Sequence, residues 1–158
     1  MSKSLKRVTQ VLADAGLNIT PIAMGEDTRT AAQAAAAAGC ALDQIAKSII
    51  FQGSDSGRIM LFVTAGGNQV DPDAAAALAG EPLSRADAAT VRAQTGFAIG
   101  GVSPIGHPAP LPVWFDETLL GFDTVWAAAG TPRHIFPIAP QDLLRISGAR
   151  AARFTIRG

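Results

Sequence analysis

The feature that most constrains this chain is a glycine- and proline-rich segment at residues 96–110. It contains four glycines and three prolines, which excludes a regular helix or a central strand. Its apolar residues, which we expect to anchor it on the core, are Phe97, Ile99, Val102 and Ile105. Glycine permits close backbone approach and positive φ, whereas proline stiffens the chain. The segment is therefore predicted to be either a rigid loop that offers N–H and C=O groups to a small ligand, or an Ω-loop that only packs.

Composition favours a globular protein and excludes several other classes. With 158 residues, 48% of them apolar and 16% charged, the chain predicts a single domain over residues 1–158. No apolar run is long enough to cross a membrane, and the first residues lack the apolar core of a secretory signal. The one cysteine, Cys40, excludes an internal disulfide and a cysteine-rich zinc site. We therefore expect a cytoplasmic protein.

The formal net charge is zero, but basic residues concentrate at the two ends of the chain. Lys3, Lys6 and Arg7 lie near the start, and five arginines lie between residues 133 and 157. If the ends meet, these residues form a basic patch for phosphates; otherwise they are ordinary solvated side chains. The zero net charge indicates that any contact with nucleic acid is local.

Apolar spacing, capping residues and turn residues predict an α+β fold. Helices are expected at residues 5–15, 30–38, 71–79, 87–95 and 140–147. Strands are expected at residues 18–24, 45–52, 58–64, 82–84, 111–115, 124–128, 134–138 and 152–156, with tight turns at 65–69 and 130–132. Because helices and strands do not alternate regularly, we predict a bent, barrel-like mixed sheet flanked by helices rather than a doubly wound fold.

Lys47 is the most unusual residue of the predicted strands. In the strand over residues 45–52 it shares one face with three apolar residues, whereas Ser48 lies on the other face. A lysine in that position either extends its ammonium to the sheet edge or points it into a pocket. The two tryptophans, Trp114 and Trp126, also lie on predicted strands, and we expect them in the core.

The usual catalytic groups are missing from the sequence pattern. His107 and His134 have no partner at metal-ligand spacing, and neither a serine elbow nor a Gly-Lys-Ser/Thr phosphate loop is present. What remains is one strand lysine, glycine turns and hydroxyl groups. That set suits the binding and polarisation of a small ester or amide without covalent catalysis.

Five segments occur in an order that resembles the YbaK family, the free-standing relatives of the editing domain inserted in bacterial prolyl-tRNA synthetase. They are Thr28–Ala31, Ile45–Phe51, Val70–Asp71, Arg85–Ala88 and Gly96–His107. The likeness spans about residues 20–150. It implies a bent mixed sheet with flanking helices. It also implies aminoacyl-tRNA deacylation, the hydrolysis of the ester that joins a wrong amino acid to the 3′ adenosine of tRNA.

The same resemblance assigns a candidate site without a metal or cofactor. The family's lysine and Gly-x-x-x-Pro loop fall on Lys47 and Gly100–Pro104, so the expected catalytic residues are Lys47, Gly100 and Gly101. The expected substrate-binding residues are Val102, Ser103, Pro104, His107, Gly130, Thr131, Arg29 and Asn68. Two of them have a structural alternative, since His107 also suits a loop histidine and Thr131 a turn former. Loop N–H groups would stabilise the oxyanion, Lys47 would bind the terminal phosphate or hydroxyl, and water or a substrate group would attack.

The departure from cysteine-specific relatives suggests the substrate. Those relatives carry a Ser-Gly-Gly-Lys-Arg-Gly-like run followed by an acid, whereas residues 129–134 here have no acid nearby. Among alanine, cysteine, serine and threonine carried on tRNA-Pro, we therefore expect several small residues to be removed, with alanine favoured over cysteine. The expected partners are the acceptor end of aminoacyl-tRNA and prolyl-tRNA synthetase, with the protein a monomer or homodimer. The alternative function is a non-catalytic module that binds the aminoacylated 3′ end or a synthetase.

Overall fold

The computed structural model describes residues 2–25 and 28–157. Within them the helices are α1 Lys3–Asp14, α2 Ala31–Ala38, α3 Pro72–Ala79, α4 Ala88–Thr95 and α5 Pro140–Ile146. The strands are β1 Ile22–Ala23, β2 Ile45–Gly53, β3 Ile59–Ala65, β4 Asn68–Val70, β5 Leu83–Ser84, β6 Val113–Asp116, β7 Val125–Thr131, β8 His134–Ile138, β9 Arg150–Ala152 and β10 Thr155–Arg157. Short 3-10 turns occupy Leu42–Gln44 and Glu117–Gly121.

The helix starts follow from their capping residues. Thr30 and Gln33 form the predicted capping box of α2, in which each side chain satisfies the other residue's main-chain N–H. Asp71 accepts a hydrogen bond from the Asp73 N–H and precedes Pro72, which suits the first turn of α3. Glycines in the left-handed conformation end α2, α3 and α4. The five predicted helices are therefore confirmed.

The main sheet is mixed, as predicted. Its strand order is β1-β8-β7-β2-β3-β6-β9, and β5 also pairs with β2. The β2/β7, β3/β6 and β6/β9 pairs are parallel, whereas the other pairs are antiparallel. Strands β10 and β4 form a separate antiparallel pair. This order excludes the regular crossovers of a doubly wound sheet.

Strand β3 is buried on both faces, which explains its continuous apolar sequence. Ile59, Leu61 and Val63 lie in the larger core cluster, together with side chains of α1 and of the glycine-rich loop. Met60 and Phe62 lie in a second cluster on the other face, where Phe62 stacks on Trp114 with ring centroids 4.9 Å apart. The core is thus divided by the sheet.

The first predicted strand, residues 18–24, is reduced to Ile22–Ala23, and the chain departs from the predicted strands in three further places. Asn68 and Gln69 begin β4 instead of ending a turn, because β10 supplies a pairing partner from the far end of the chain. The last predicted strand is two strands, β9 and β10, since the intervening Phe154 is fully buried in the second core cluster. Strand β7 continues through Thr131, and the turn falls on residues 132–133, where Pro132 has no N–H to extend the ladder.

One edge of β2 is only partly paired. Residues 46–52 pair with β3 along the other edge. On this edge β7 pairs only with Ile45 and Ala46, and β5 only with Gln52 and Gly53. No described strand therefore pairs with residues 47–51 on this side, and β2 and β7 diverge around a gap.

Among the described residues, no helix combines the length and apolar character required to cross a membrane.

Candidate functional site

A cavity of about 290 Å³ lies where β2 and β7 diverge. Its walls come from β2, β7, β8, α2 and the segment before it, and the glycine-rich loop. Many of the lining side chains are small, and these are Ala31, Ala34, Ala46, Ala127 and Ala128. Because α2 and β7 carry alanine here, the side chains leave room between the elements for a small ligand.

Four residues expected in the site line this cavity together: Arg29, Lys47, Gly100 and Val102. They come from three parts of the chain that are distant in sequence. Arg29 lies just before α2, Lys47 lies on β2, and Gly100 and Val102 belong to the loop. The partly buried Lys47 and the loop therefore meet at one cavity, and its other lining residues include Trp126, which we expected in the core.

The ammonium of Lys47 is held by the turn after β3. Its Nζ donates a hydrogen bond to the Gly66 carbonyl at 3.1 Å. Burial lowers the pKa of Lys47, and the nearby carboxylates of Asp116 and Asp43 act in the opposite direction. Since an ammonium has three N–H donors, two remain for a ligand in the cavity.

The loop is rigid on one side and open on the other. Gly100 has φ +89°, and a Cβ built there would meet nothing within 4 Å. Phe97, Val102 and Ile105 are buried, as expected. Ile99, however, is 54% exposed and does not anchor the loop. It immediately precedes Gly100, so the exposed stretch of the loop coincides with the part that reaches the cavity.

Sequence reasoning missed Ser48 as a cavity residue. The residue lines the cavity, and its buried Oγ has no hydrogen-bond partner among the described residues. Strand alternation placed Ser48 opposite Lys47, but both residues border the gap because β2 has no neighbour there. An unsatisfied buried hydroxyl is costly, so it marks a position at which a ligand can supply the missing partner.

The second half of the loop lies away from the cavity. Ser103 is fully buried, and its carbonyl accepts a hydrogen bond from His107 Nε2 at 2.8 Å. Pro104 and His107 border a separate groove beside Arg145. Burial lowers the pKa of His107, with the Arg7 charge contributing in the same direction. These residues thus form the anchored side of the loop, and none of the three lines the cavity.

Gly101 of the loop, and Gly130 and Thr131 beside it, do not line the cavity. Gly130 has φ +92°, and a Cβ there would lie 2.7 Å from the Phe97 ring. The Thr131 hydroxyl is 2.6 Å from His134 Nδ1 and accepts a hydrogen bond from the Arg133 N–H at 3.2 Å. A Cβ on Gly101 would lie 3.7 Å from Thr131. This wall supports the loop from outside.

Asn68 is committed to contacts inside the protein. Its amide nitrogen donates to Asp116 at 3.0 Å and to the Thr118 hydroxyl at 3.1 Å. Its amide oxygen accepts from Arg157 at 3.0 Å. The side chain is buried, and Asn68 does not lie on the cavity wall.

The C-terminal arginines are largely paired with acids. Ion pairs join Arg145 to Asp142, Arg153 to Glu117 and Arg157 to Asp43 at 3.2, 3.0 and 2.8 Å. The more exposed pairs, Arg145–Asp142 and Arg153–Glu117, are weak, so they can open for a phosphate. Arg7, from the other end of the chain, donates to carbonyls of the glycine-rich loop. Residues 2–25 and 28–157 contain no cluster of three or more metal-ligating side chains.

Three comparisons with known proteins agree with this geometry. The family model of the aminoacyl-tRNA editing domain matches residues 25–146. The uncharacterized protein YwhH of Bacillus subtilis (strain 168) is 33% identical over 118 residues, which cover 75% of this chain and 74% of that protein. A solved structure of a proposed trans-editing enzyme for prolyl tRNA synthetase superposes with a TM-score of 0.90, at 43% identity over 99% of both chains. The hypothetical protein APE2540 gives a TM-score of 0.85 at 28% identity, over 95% of this chain and 99% of that one.

Proposed function

The chain belongs to the aminoacyl-tRNA editing domain family, and we propose that it is an aminoacyl-tRNA deacylase. The proposed reaction is hydrolysis of the ester between a small, wrongly attached amino acid and the 3′ adenosine of tRNA-Pro. The observation that carries the proposal is the meeting of Lys47, Gly100 and Val102 around one small cavity. The likeness to a proposed trans-editing enzyme for prolyl tRNA synthetase supports the choice of tRNA.

Ester hydrolysis requires donors aimed at the oxyanion that develops on the carbonyl. The Gly101 N–H already donates to the Ala98 carbonyl at 3.0 Å. We therefore assign stabilisation of the oxyanion to the N–H groups of Gly100 and Val102, because both residues line the cavity. The two remaining donors of Lys47 bind the terminal phosphate or a ribose hydroxyl, and water or a substrate group attacks the ester.

The cavity walls support a preference for small side chains. Alanines from α2 and β7 leave about 290 Å³, near the lower end of the range for ligand pockets. The correct amino acid, proline, is bulkier than alanine or serine and is disfavoured by size, whereas one methylene more or less changes binding by only about 1–3 kcal/mol. We therefore propose activity on several small residues, with alanine favoured over cysteine because no acid follows Gly130 in the supporting wall.

The test is a deacylation panel with substrate in excess over protein. Alanyl-, seryl-, threonyl-, cysteinyl- and prolyl-tRNA-Pro are each assayed at two salt concentrations. We expect turnover of the small residues and protection of prolyl-tRNA. Activity at low substrate should fall as salt rises, since tRNA phosphates release counterions on binding. Addition of prolyl-tRNA synthetase tests that partner by its effect on the rate.

Each other outcome has a defined meaning. Preferential hydrolysis of correctly charged prolyl-tRNA would refute an editing role. Turnover confined to cysteinyl-tRNA would overturn the specificity argument and leave the reaction class in place. Stoichiometric binding without turnover would favour the non-catalytic module.

The matched variant is Lys47→Ala. It should reduce turnover by about a hundredfold, because a charged donor at the reacting ester is lost. The unfolding curve should stay close to wild type, since Lys47 is only partly buried and is not an aliphatic core residue. Arg92→Ala, on the exposed face of α4 and outside the basic ends of the chain, is the control and should leave turnover unchanged.

A further inference from the structure

Two carboxylates hold the turn that contacts Lys47. Asp43 accepts a hydrogen bond from the Gly67 N–H at 2.8 Å, and Asp116 accepts one from the Ala65 N–H at 3.0 Å. The carbonyl between these two points, that of Gly66, accepts the Lys47 ammonium. The carboxylates thus fix the turn on both sides of the atom that holds the lysine.

The Gly66–Gly67 turn is packed closely against the residues around it. A Cβ on Gly66 would lie 2.1 Å from the Leu42 carbonyl oxygen, and one on Gly67 would lie 2.4 Å from Asp43. Behind the turn, Asn68 bridges Asp116 to Arg157, and Arg157 pairs with Asp43 at 2.8 Å. Each carboxylate is therefore connected to the other through side chains that touch the turn.

Asp116 is unusual because it is a buried carboxylate whose described partners are all neutral. It is only 3% exposed, and it accepts hydrogen bonds from two main-chain N–H groups and the Asn68 amide. No described cation lies within ion-pair distance of it. Burying a carboxylate is costly unless hydrogen bonds and an opposite charge nearby compensate for the lost hydration.

The charged groups around the lysine are few. Asp116 approaches from the end of β6, and Asp43 approaches from the 3-10 turn before β2. Arg157 is held by Asp43, and Arg29 lines the same cavity as Lys47. The two carboxylates oppose the effect of burial, which by itself lowers the pKa of Lys47.

We propose that Asp43 and Asp116 are positioning residues that fix the Lys47 ammonium at the cavity and keep it charged there. Asn68 and Arg157 complete the support by joining the two carboxylates. The catalytic half of this inference rests on the proposed deacylase function, whereas the electrostatic half does not. In the reaction, the effect is a lysine that presents its free N–H groups to substrate oxygens in one orientation.

The electrostatic half is tested by nuclear magnetic resonance on protein made with isotope-labelled lysine. The chain has only three lysines, so Lys3 and Lys6 serve as internal controls for Lys47. Asp116→Asn and Asp43→Asn should move the Lys47 titration to lower pH and leave the other two in place. Glu117→Gln, which alters an exposed carboxylate paired with Arg153, should move none of them. An unmoved Lys47 titration in both Asn variants would overturn the proposal.

Asp43 keeps this test decisive even if the buried Asp116→Asn variant does not fold. Its side chain is 22% exposed, and asparagine retains the oxygen that accepts from the Gly67 N–H. In that case the Lys47 titration in Asp43→Asn alone decides whether the electrostatic half of the proposal holds.

The catalytic half is tested by deacylation as a function of pH, with the uncatalysed rate subtracted. Asp116→Asn, which turns one accepting oxygen into an amide nitrogen, and Asp43→Ala, which removes the acceptor of the Gly67 N–H, should each lose on the order of tenfold in kcat/KM. Their alkaline loss of activity should begin at lower pH than in wild type. If the wild-type protein turns over substrate and both variants do so with the same kcat/KM, the positioning role is refuted. Absence of wild-type turnover would refute the proposed function, and the lysine titrations would remain as an independent result.

Discussion

The chain contains two adjacent-glycine turns near the cavity, and their surroundings differ. At Gly66–Gly67 the protein itself occupies the space of a side chain, with the Leu42 carbonyl and Asp43 pressed against the backbone. At Gly100–Gly101 that space is open at the first glycine and loosely filled at the second. The Gly-Gly dipeptide therefore serves two different purposes. At Gly66–Gly67 it permits close internal packing, and at Gly100–Gly101 it leaves the backbone accessible to a ligand.

This difference shows that the two turns have different places in the candidate site. The Gly66–Gly67 turn carries the carbonyl that holds Lys47, so it supports the site from within. Gly100 has a left-handed backbone and lines the cavity, so it belongs to the surface that meets a ligand. Four substitutions test the comparison, in order of decreasing effect on stability.

Gly66→Ala should have the largest effect. Its Cβ would overlap a main-chain oxygen that cannot rotate away, and overpacking of this kind costs about 1–3 kcal/mol of unfolding free energy. Deacylation should fall as well, because the carbonyl that orients Lys47 is displaced. Urea unfolding measures the first effect. Gly121→Ala, which meets nothing within 4 Å, is the control, and equal stability of the two variants would contradict the packing argument.

Arg7→Ala should loosen the anchored half of the glycine-rich loop. Arg7 donates to the carbonyls of Gly96 and Gly106, and its guanidinium lies 4.8 Å from the Phe97 ring centroid. Its loss should cost about 1–2 kcal/mol of stability and speed hydrogen exchange at residues 96–106. Arg7→Lys should recover only part of this, since one ammonium cannot replace the planar fork. Unchanged exchange in Arg7→Ala would show that α1 does not hold the loop.

Gly100→Ala and Gly101→Ala form a matched pair on the open turn. Alanine at φ +89° costs about 1 kcal/mol, and at this cavity-lining position we expect a larger loss of deacylation than of stability. At Gly101 the added methyl meets only ordinary contacts near 3.7 Å, so stability should remain close to wild type. If Gly100→Ala hydrolyses substrate at the wild-type rate, the loop is only a packing element.

The smallest effect is a pH dependence of stability from His107. Its pKa is lowered from 6.5, first by burial, so the unfolded chain binds a proton more readily than the folded one. The stabilisation is complete above pH 6.5 and is lost as the pH falls toward the folded-state value. Unfolding measured from pH 7.5 to about pH 5 should show a decline in stability from this group, reduced in His107→Gln. A decline of equal size in the variant would assign it to other groups.

The sequence predicted the fold where the determinants are local. The capping box at Thr30 and the proline after Asp71 fix helix starts within one turn of chain. The double-sided apolar pattern of β3 correctly indicated burial on both faces. The division of the last strand by Phe154 and the pairing of β4 with β10 depend on contacts between distant segments, which no local pattern encodes.

The candidate site was only partly predictable for the same reason. Resemblance assigned Lys47, Gly100 and Val102, which the structure brings to one cavity. It could not tell that the loop turns its second half away, so that Ser103 and His107 bond to each other instead. Nor could strand alternation find Ser48, because its position at the cavity depends on where β2 and β7 part.

The incompletely paired edge of β2 has a consequence for how the protein behaves at high concentration. An exposed strand edge can recruit a strand from another molecule and seed aggregation. Here the available stretch covers only residues 47–51, with β7 and β5 at its two ends. A long foreign strand therefore collides with these neighbours, and Lys47 places a charge at the entrance of the short stretch that is left. The opening needed for a small ligand is thus kept too short for a foreign strand to pair along it.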